Sequence, residues 1–384
     1  MSSRIRFDMA RILVIKSRHI GDVLLTGPLI AALKAHYSSG EVHITALVKQ
    51  GTRAMLQYHP AVDRCIVYPE RRSGESKGHF LRRLFTWFRR LRRQKFDLAV
   101  TATEGDRGVL TAWLCGAPRR IGPIEAKSPR WHRWLLTEPT IPRPGRTHTV
   151  LRNLDLLPKE ITRPYRRVDL GYLPGRHDRR ALELLTQAGY RPERPLAVVH
   201  PTARWFFKCW TDAGMAAVID HLQTRRGVQV VLTRGPAAQE REKHDAILDR
   251  CAVKPMTLAD DPGLLGLAAL ISEADLFVGV GSAPMHMAAA LDTPVVALFG
   301  PSGAWDWGPW PNGWTGGDTP YPAQNGVQRV GPHVVVQAQR PCVPCGQAGC
   351  DNSKRSACLV ELPVAAVIRE IDASLDRLDL PPDG

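Results

Sequence analysis

The sequence predicts an α/β protein made of two Rossmann-like domains that face each other across a cleft. Three observations carry that expectation. A strand–loop–helix unit, ILVIKSRHIGDVLLTGPLIAALK, occupies residues 12–34, and a second, ADLFVGVGSAPMHMAAALDTPVVALFGPS, occupies residues 274–302. The 384 residues suffice for two domains of about 150 each. Around both units, apolar runs of strand length alternate with stretches of helical periodicity, which is the pattern of parallel sheets covered by helices.

Taken in order, ILVIK (12–16) reads as a buried strand, and 28–36 as the continuation of a helix. VHITALV (42–48) is a second strand, and HPAVDRCIVYP (59–69) supplies a short loop and a third. A basic helix follows, then the strand FDLAVTAT (96–103), a helix over 107–115 and a short strand near 120–122. Residues 138–178, rich in Pro, Arg and Gly, read as the crossing between domains, with one helix around 148–157. A helix at 178–188 precedes the second alternation. This comprises PLAVVHP (195–201), a helix at 211–225, VQVVLT (228–233), a helix at 237–252 and a short element near Met256. A helix at 262–271, LFVGV (276–280), a helix at 283–291 and PVVALFG (294–300) complete it. Residues 303–340 are rich in Gly, Pro and Trp and read as loop. The expected domains are 1–175 and 176–362, with a terminal helix in 363–384 packing back on the first domain.

Hydrophobic residues make up 44% of the chain, enough for full cores, and the formal net charge of +15 points to polyanionic partners. The first residues carry no apolar run of signal-peptide length, and no stretch approaches the ~20 apolar residues of a membrane span. A cytoplasmic protein able to rest on a membrane surface is therefore expected. The helix HFLRRLFTWFRRLRRQK (79–95) concentrates the charge: Leu81, Leu84, Phe85, Phe88 and Leu91 fall on one face, and arginines crowd the rest. It suits either a solvated outer face or an anionic membrane. No helix-turn-helix, RNA-binding or zinc-finger pattern accompanies it, so no nucleic-acid partner is expected.

Three loops carry candidate chemistry. Lys16-Ser17-Arg18-His19-Ile20-Gly21-Asp22 joins the first strand to its helix, at the carboxyl end of a parallel strand where α/β proteins bind ligands. Asp22 suits two roles there: capping backbone amides, or accepting a proton from an attacking hydroxyl. No G-x-G-x-x-G follows the strand, which disfavours a dinucleotide dehydrogenase. In VVHPTARWFFKCW (198–210), Thr202 offers a hydroxyl to phosphate and Lys208 a point charge to a diphosphate; an ordinary loop with a solvated lysine is the alternative. Around Gly279 and Gly281, Ser282 suits a helix N-cap and Pro284 its first turn, so the helix amides form an anion seat near His286. Of eight cysteines, Cys65, Cys115, Cys209 and Cys251 read as reduced core thiols. Cys342, Cys345, Cys350 and Cys358 form C-x2-C-x4-C-x7-C, which fits reduced thiols packing a loop or a structural zinc site.

Together ILVIKSRHIGDVLLTGP, HPAVDRCIVYP, VVHPTARWFFKCW and ADLFVGVGSAPMHMAAALDTPVVALFGPS, in this order and spacing, resemble glycosyltransferase family 9, the lipopolysaccharide core heptosyltransferases, over nearly the whole chain. VHPTAR…FKCW, SAPMHMAAAL and the late cysteines are most similar to the heptosyltransferase III branch. The resemblance implies a GT-B fold and inverting, metal-independent transfer of heptose from ADP-heptose to a phosphorylated inner-core acceptor at the inner face of the inner membrane, without a cofactor. It implies Asp22 as catalytic base and a donor site of Thr202, Lys208, Gly281, Ser282, Ala283, Pro284 and His286. Arg18, His19, Arg53, Arg107 and Arg120 are the expected acceptor contacts. Use as heptosyltransferase I or II, another nucleotide sugar, or a catalytically weak sugar-nucleotide-binding protein are the alternatives. One departure stands out: family members often carry Asp where this chain has Gly281, and glycine supplies no carboxylate.

Overall fold

The computed structural model describes residues 9–37, 41–161, 166–172 and 179–378. The chain divides into two compact units, 1–171 and 172–384, against the boundary of 175 expected from the sequence.

The first unit is built on six parallel strands: β1 (Met9–Ile15), β2 (Glu41–Val48), β3 (Arg64–Val67), β4 (Leu98–Thr101), β5 (Arg119–Pro123) and β6 (Glu138–Thr140). Their order is β3-β2-β1-β4-β5-β6. The chain winds one way from β1 to β3 and then returns to β4 on the other side of β1, which creates a topological switch point between β1 and β4. Among the described residues six α-helices accompany the sheet: α1 (Ile20–Leu24), α2 (Gly27–His36), α3 (Lys77–Arg92), α4 (Asp106–Leu114), α5 (Arg130–Leu135) and α6 (Thr149–Leu154). Residues 12–15 of β1 and 98–100 of β4 are apolar because both faces of the sheet are covered there, and Leu13, Ile15 and Ala99 pack with Leu91, Phe96 and Ala112.

The basic helix α3 departs from the expected stripe. Leu91 is buried and Trp87 and Phe88 pack on the core beside Tyr68, but Leu81 and Phe85 point outward and are 61% and 65% exposed. The helix turns its carboxy-terminal half inward through the Tyr68–Trp87–Phe88 ring cluster, which leaves the residues one and two turns earlier facing solvent.

The second unit repeats the plan with helices α7 (Arg179–Gln187), α8 (Asp212–Arg225), α9 (Ala238–Arg250), α10 (Gly263–Ser272), α11 (Ala283–Ala290), α12 (Ala304–Trp307), α13 (Ala357–Val360) and α14 (Val364–Leu375). Its strands are β7 (Leu196–His200), β8 (Gln229–Leu232), β9 (Leu276–Val280), β10 (Val295–Phe299), β11 (Val327–Val330) and β12 (His333–Gln337), in the order β11-β12-β10-β9-β7-β8. The switch point lies between β7 and β9. There Gly279 is required: a Cβ at that position would stand 2.7 Å from the His200 carbonyl on the neighbouring strand.

Two expectations are corrected here. Residues 303–340 are not all loop: β11 and β12 form an antiparallel hairpin turning at Gly331 (φ +56°), and β12 extends the parallel sheet beside β10. The terminal helix, expected on the first domain, buries Val367, Ile371 and Leu375 in the core of the second unit, because its apolar stripe matches α8, β10 and β12. Residues 379–384 of that expected segment, and Asp178 of the helix expected at 178–188, lie outside the described residues.

Candidate functional site

In the first unit, the loop after β1 sits at the switch point. Lys16 continues the ladder, its amide donating to Leu47 O at 3.0 Å, and its buried ammonium donates to Ala102 O at 2.7 Å. The same ammonium lies 3.4 Å from Asp22 Oδ1, with side-chain exposures of 9% and 20% for lysine and aspartate. Asp22 is in the first turn of α1, whose N-cap residue His19 makes no side-chain cap bond. The carboxylate is thus held by a cation anchored to the loop after β4, with one-fifth of its surface left open. The partly open carboxylate is free to accept a proton from a group placed against it. Hydroxyls brace the pair of loops: Ser17 N donates to Thr103 Oγ1 at 2.8 Å, and Thr103 Oγ1 donates to Ile15 O at 3.3 Å.

Arg18 and His19 are exposed on this loop, Arg53 is exposed after β2, and Arg107 is exposed after β4 with its guanidinium 5.4 Å from the Tyr68 ring. All four follow the carboxyl ends of strands and therefore stand on one edge of the sheet. Arg120 does not join them. It lies near the amino end of β5, and its guanidinium donates to Leu135 O and Ala117 O, each at 2.6 Å, so it is committed to holding backbone.

In the second unit, the loops after β7 and β9 flank the switch point. His200 ends β7 fully buried; burial pushes its pKa down to about 4, with His244 adding to the shift, and the ring stays neutral. Its Nδ1 is 3.0 Å from Thr233 Oγ1 and its Nε2 is 3.4 Å from Thr202 Oγ1, which also accepts from Gly235 N at 3.4 Å. Thr202 is completely buried, so it braces the loop in place of the phosphate contact expected for it. Lys208 is half-exposed on the turn Phe206–Lys208, and Phe207 O of that turn accepts from the buried Ser356 Oγ at 2.7 Å.

Ser282 occupies the N-cap of α11 in extended conformation and makes no side-chain cap bond; its Oγ is buried without a hydrogen-bond partner among the described residues. Ala283 and Pro284 form the first turn, and His286 is buried one turn into the helix. An anion at this helix start would meet the amides of Ala283 and Met285, Pro284 having none. The structure gives Gly281 a steric reason: a Cβ there would lie 3.1–3.3 Å from three atoms of the buried Phe299 ring.

All eight cysteines are free. Cys115 and Cys251 are buried and Cys65 and Cys209 half-buried, while Cys342, Cys345 and Cys350 are exposed and Cys358 buried. Burial raises the Cys358 thiol, and Cys350, Cys345 and Cys342 raise it further, so these sulfurs share one neighbourhood. Among the described residues no group of three or more His, Cys, Asp or Glu is arranged to hold a metal ion.

The residues that sequence reasoning did not single out are Lys16 as the partner of Asp22, and the His200–Thr233 brace. A lysine closing a buried apolar strand was the available signal for the first; nothing local marked the second.

Comparisons with known proteins follow the same outline. The model of glycosyltransferase family 9 (heptosyltransferase) matches residues 84–328. The chain is 33% identical over 321 residues to lipopolysaccharide heptosyltransferase 3 of Escherichia coli (strain K12), covering 81% of this chain and 90% of that one. Among solved structures it is similar to a family 9 glycosyl transferase from Veillonella parvula (TM-score 0.77, 20% identity, 96% and 98% of the two chains). It is also similar to the E. coli ADP-heptose lps heptosyltransferase II (TM-score 0.69, 22% identity, 96% and 99%), so the fold is GT-B.

Proposed function

Because the chain belongs to glycosyltransferase family 9, the heptosyltransferases, we propose that it transfers heptose from ADP-heptose to a heptose hydroxyl of the lipopolysaccharide inner core, in the manner of its heptosyltransferase 3 relative. The observation that carries the chemistry is the Lys16–Asp22 pair at the switch point of the first sheet. Asp22 takes the proton of the acceptor hydroxyl as its oxygen attacks the anomeric carbon. The bond to ADP breaks from the opposite face, inverting that centre. Lys208 and the first-turn amides of α11 meet the charge growing on the diphosphate, which makes the proposed transfer metal-independent. Arg18, Arg53 and Arg107, with His19 beside them, receive the phosphorylated acceptor. Gly281 leaves the heptose hydroxyls to other groups of the donor loop.

The acceptor is a glycolipid, so we place the reaction at the cytoplasmic face of the inner membrane. No helix among the described residues is long and apolar enough to cross a membrane, in keeping with docking from one side. The test is mass analysis of a defined, truncated core glycolipid after incubation with ADP-heptose, with UDP- and GDP-sugars as competitors. A gain of one heptose, blocked only by ADP compounds, is expected. An unchanged glycolipid, or transfer from another nucleotide sugar, contradicts the reading.

A further inference from the structure

The outward face of α3 has no role in the chemistry above, and its composition is unusual. Leu81 and Phe85 are one turn apart and 61% and 65% exposed. Arg82, Arg89, Arg90, Arg92 and Arg93 are exposed around them, and the Arg89 guanidinium lies 5.9 Å from the Phe85 ring. The helix contains no acidic residue. The two acids just before the helix in sequence are engaged: Glu75 accepts from Arg83 at 2.9 and 2.8 Å, and Glu70 pairs with Lys49 at 2.6 Å. Single exposed apolar residues are ordinary on soluble proteins, but an adjacent pair set in an all-basic field needs a partner that is both anionic and apolar.

We propose that this face is a membrane-docking surface, in which Leu81 and Phe85 enter the interface of an anionic bilayer while the surrounding arginines engage lipid phosphates. Nucleic acid would satisfy the arginines and leave the two apolar side chains in water. A second copy of the chain meeting this face would set arginine against arginine. A bilayer with anionic headgroups answers both chemistries at their observed spacing.

The position of the helix gives docking a consequence. α3 follows β3 through residues 68–76, so its first turns, with Leu81 and Phe85, start at the carboxyl edge of the first sheet. That is the edge holding Arg18, Arg53 and Arg107. Tyr68 ties the two together, packing on Trp87 and Phe88 of α3 and lying under Arg107. Docking through α3 therefore presents the acceptor edge to a lipid-anchored sugar, a benefit that rests on the proposed function although the docking itself does not.

The experiment is co-sedimentation of the full chain with vesicles of phosphatidylcholine alone or mixed with phosphatidylglycerol, at low and high salt. Binding to the phosphatidylglycerol vesicles, weakened by salt, is expected. Leu81→Ser with Phe85→Ser should lower partitioning about tenfold at unchanged melting temperature and unchanged turnover of a lipid-free acceptor. Arg89→Gln with Arg90→Gln should lower it and flatten its salt dependence. Partitioning of the serine variant equal to the parent overturns the proposal, as does a parent dimer in solution that the same substitutions split. Vesicle binding by a chain that transfers no heptose would uphold the docking surface and remove only the activity assigned above.

Discussion

The first sheet changes winding direction between β1 and β4 and the second between β7 and β9, and the two crevices are furnished differently. The first holds a charged pair, Lys16 and Asp22, 3.4 Å apart and mostly buried. The second holds neutral polar groups, His200, Thr202 and Thr233, beneath a lysine-bearing turn and an uncapped helix start at Ser282. Equivalent topology thus delivers two loops to each crevice, and the residue types decide what it does. A tethered carboxylate suits taking a proton. Backbone amides with a cation suit receiving a diphosphate.

Acid should separate the two units most. Burial pushes His200 and His333 down to about 4 in the second unit and His59 down to about 4 in the first. Unfolded, each takes a proton near its ordinary value of 6.5; folded, each stays neutral to about 4. The unfolded chain therefore binds more protons through this window, so stability is full above 6.5 and falls as pH drops toward 4. Each histidine accounts for up to about 3 kcal/mol. Thermal melts at neutral pH and near pH 5 should show the second unit losing more, and His200→Gln should reduce that loss.

Next in size, Lys208→Ala should weaken ADP-heptose binding about 10- to 100-fold with little effect on melting, read by titration calorimetry. Lys16→Met should act in the opposite sense: donor affinity holds, turnover falls about tenfold or more, and stability drops by about 1–3 kcal/mol as Asp22 loses its tether. The smallest effect is expected at Gly281. Gly281→Asp forces the Phe299 ring to give by a few tenths of an ångström and should cost about 1 kcal/mol, with Phe299→Leu relieving it. Denaturant melts of the two single variants and the pair would measure the coupling.

Much of this arrangement was legible in the sequence because it is local. Strands buried on both faces announce themselves as apolar runs, and the Gly279–Pro284 segment marks a strand-to-helix turn. What escaped depends on contacts distant in sequence. The β11–β12 hairpin was hidden in Gly/Pro/Trp-rich composition, although VVV in β12 is as apolar as any central strand. Leu81 and Phe85 share helical spacing with Leu84 and Phe88, and only the ring cluster at Tyr68 shows that Trp87 and Phe88 are the residues that turn inward. Arg120 looked like another free cation until the carbonyls of Ala117 and Leu135 closed on it. Thr202 was recognisable as a loop hydroxyl, but its burial against His200 was not.

Asp22 is the proposed proton acceptor, and Asp22→Asn tests that role most directly because it keeps shape and removes only basicity. Turnover of ADP-heptose with a defined core glycolipid should fall about 10²- to 10⁴-fold, while ADP affinity, which the proposal assigns to the second unit, should stay as in the parent. Turnover at the parental rate in that variant would contradict the account.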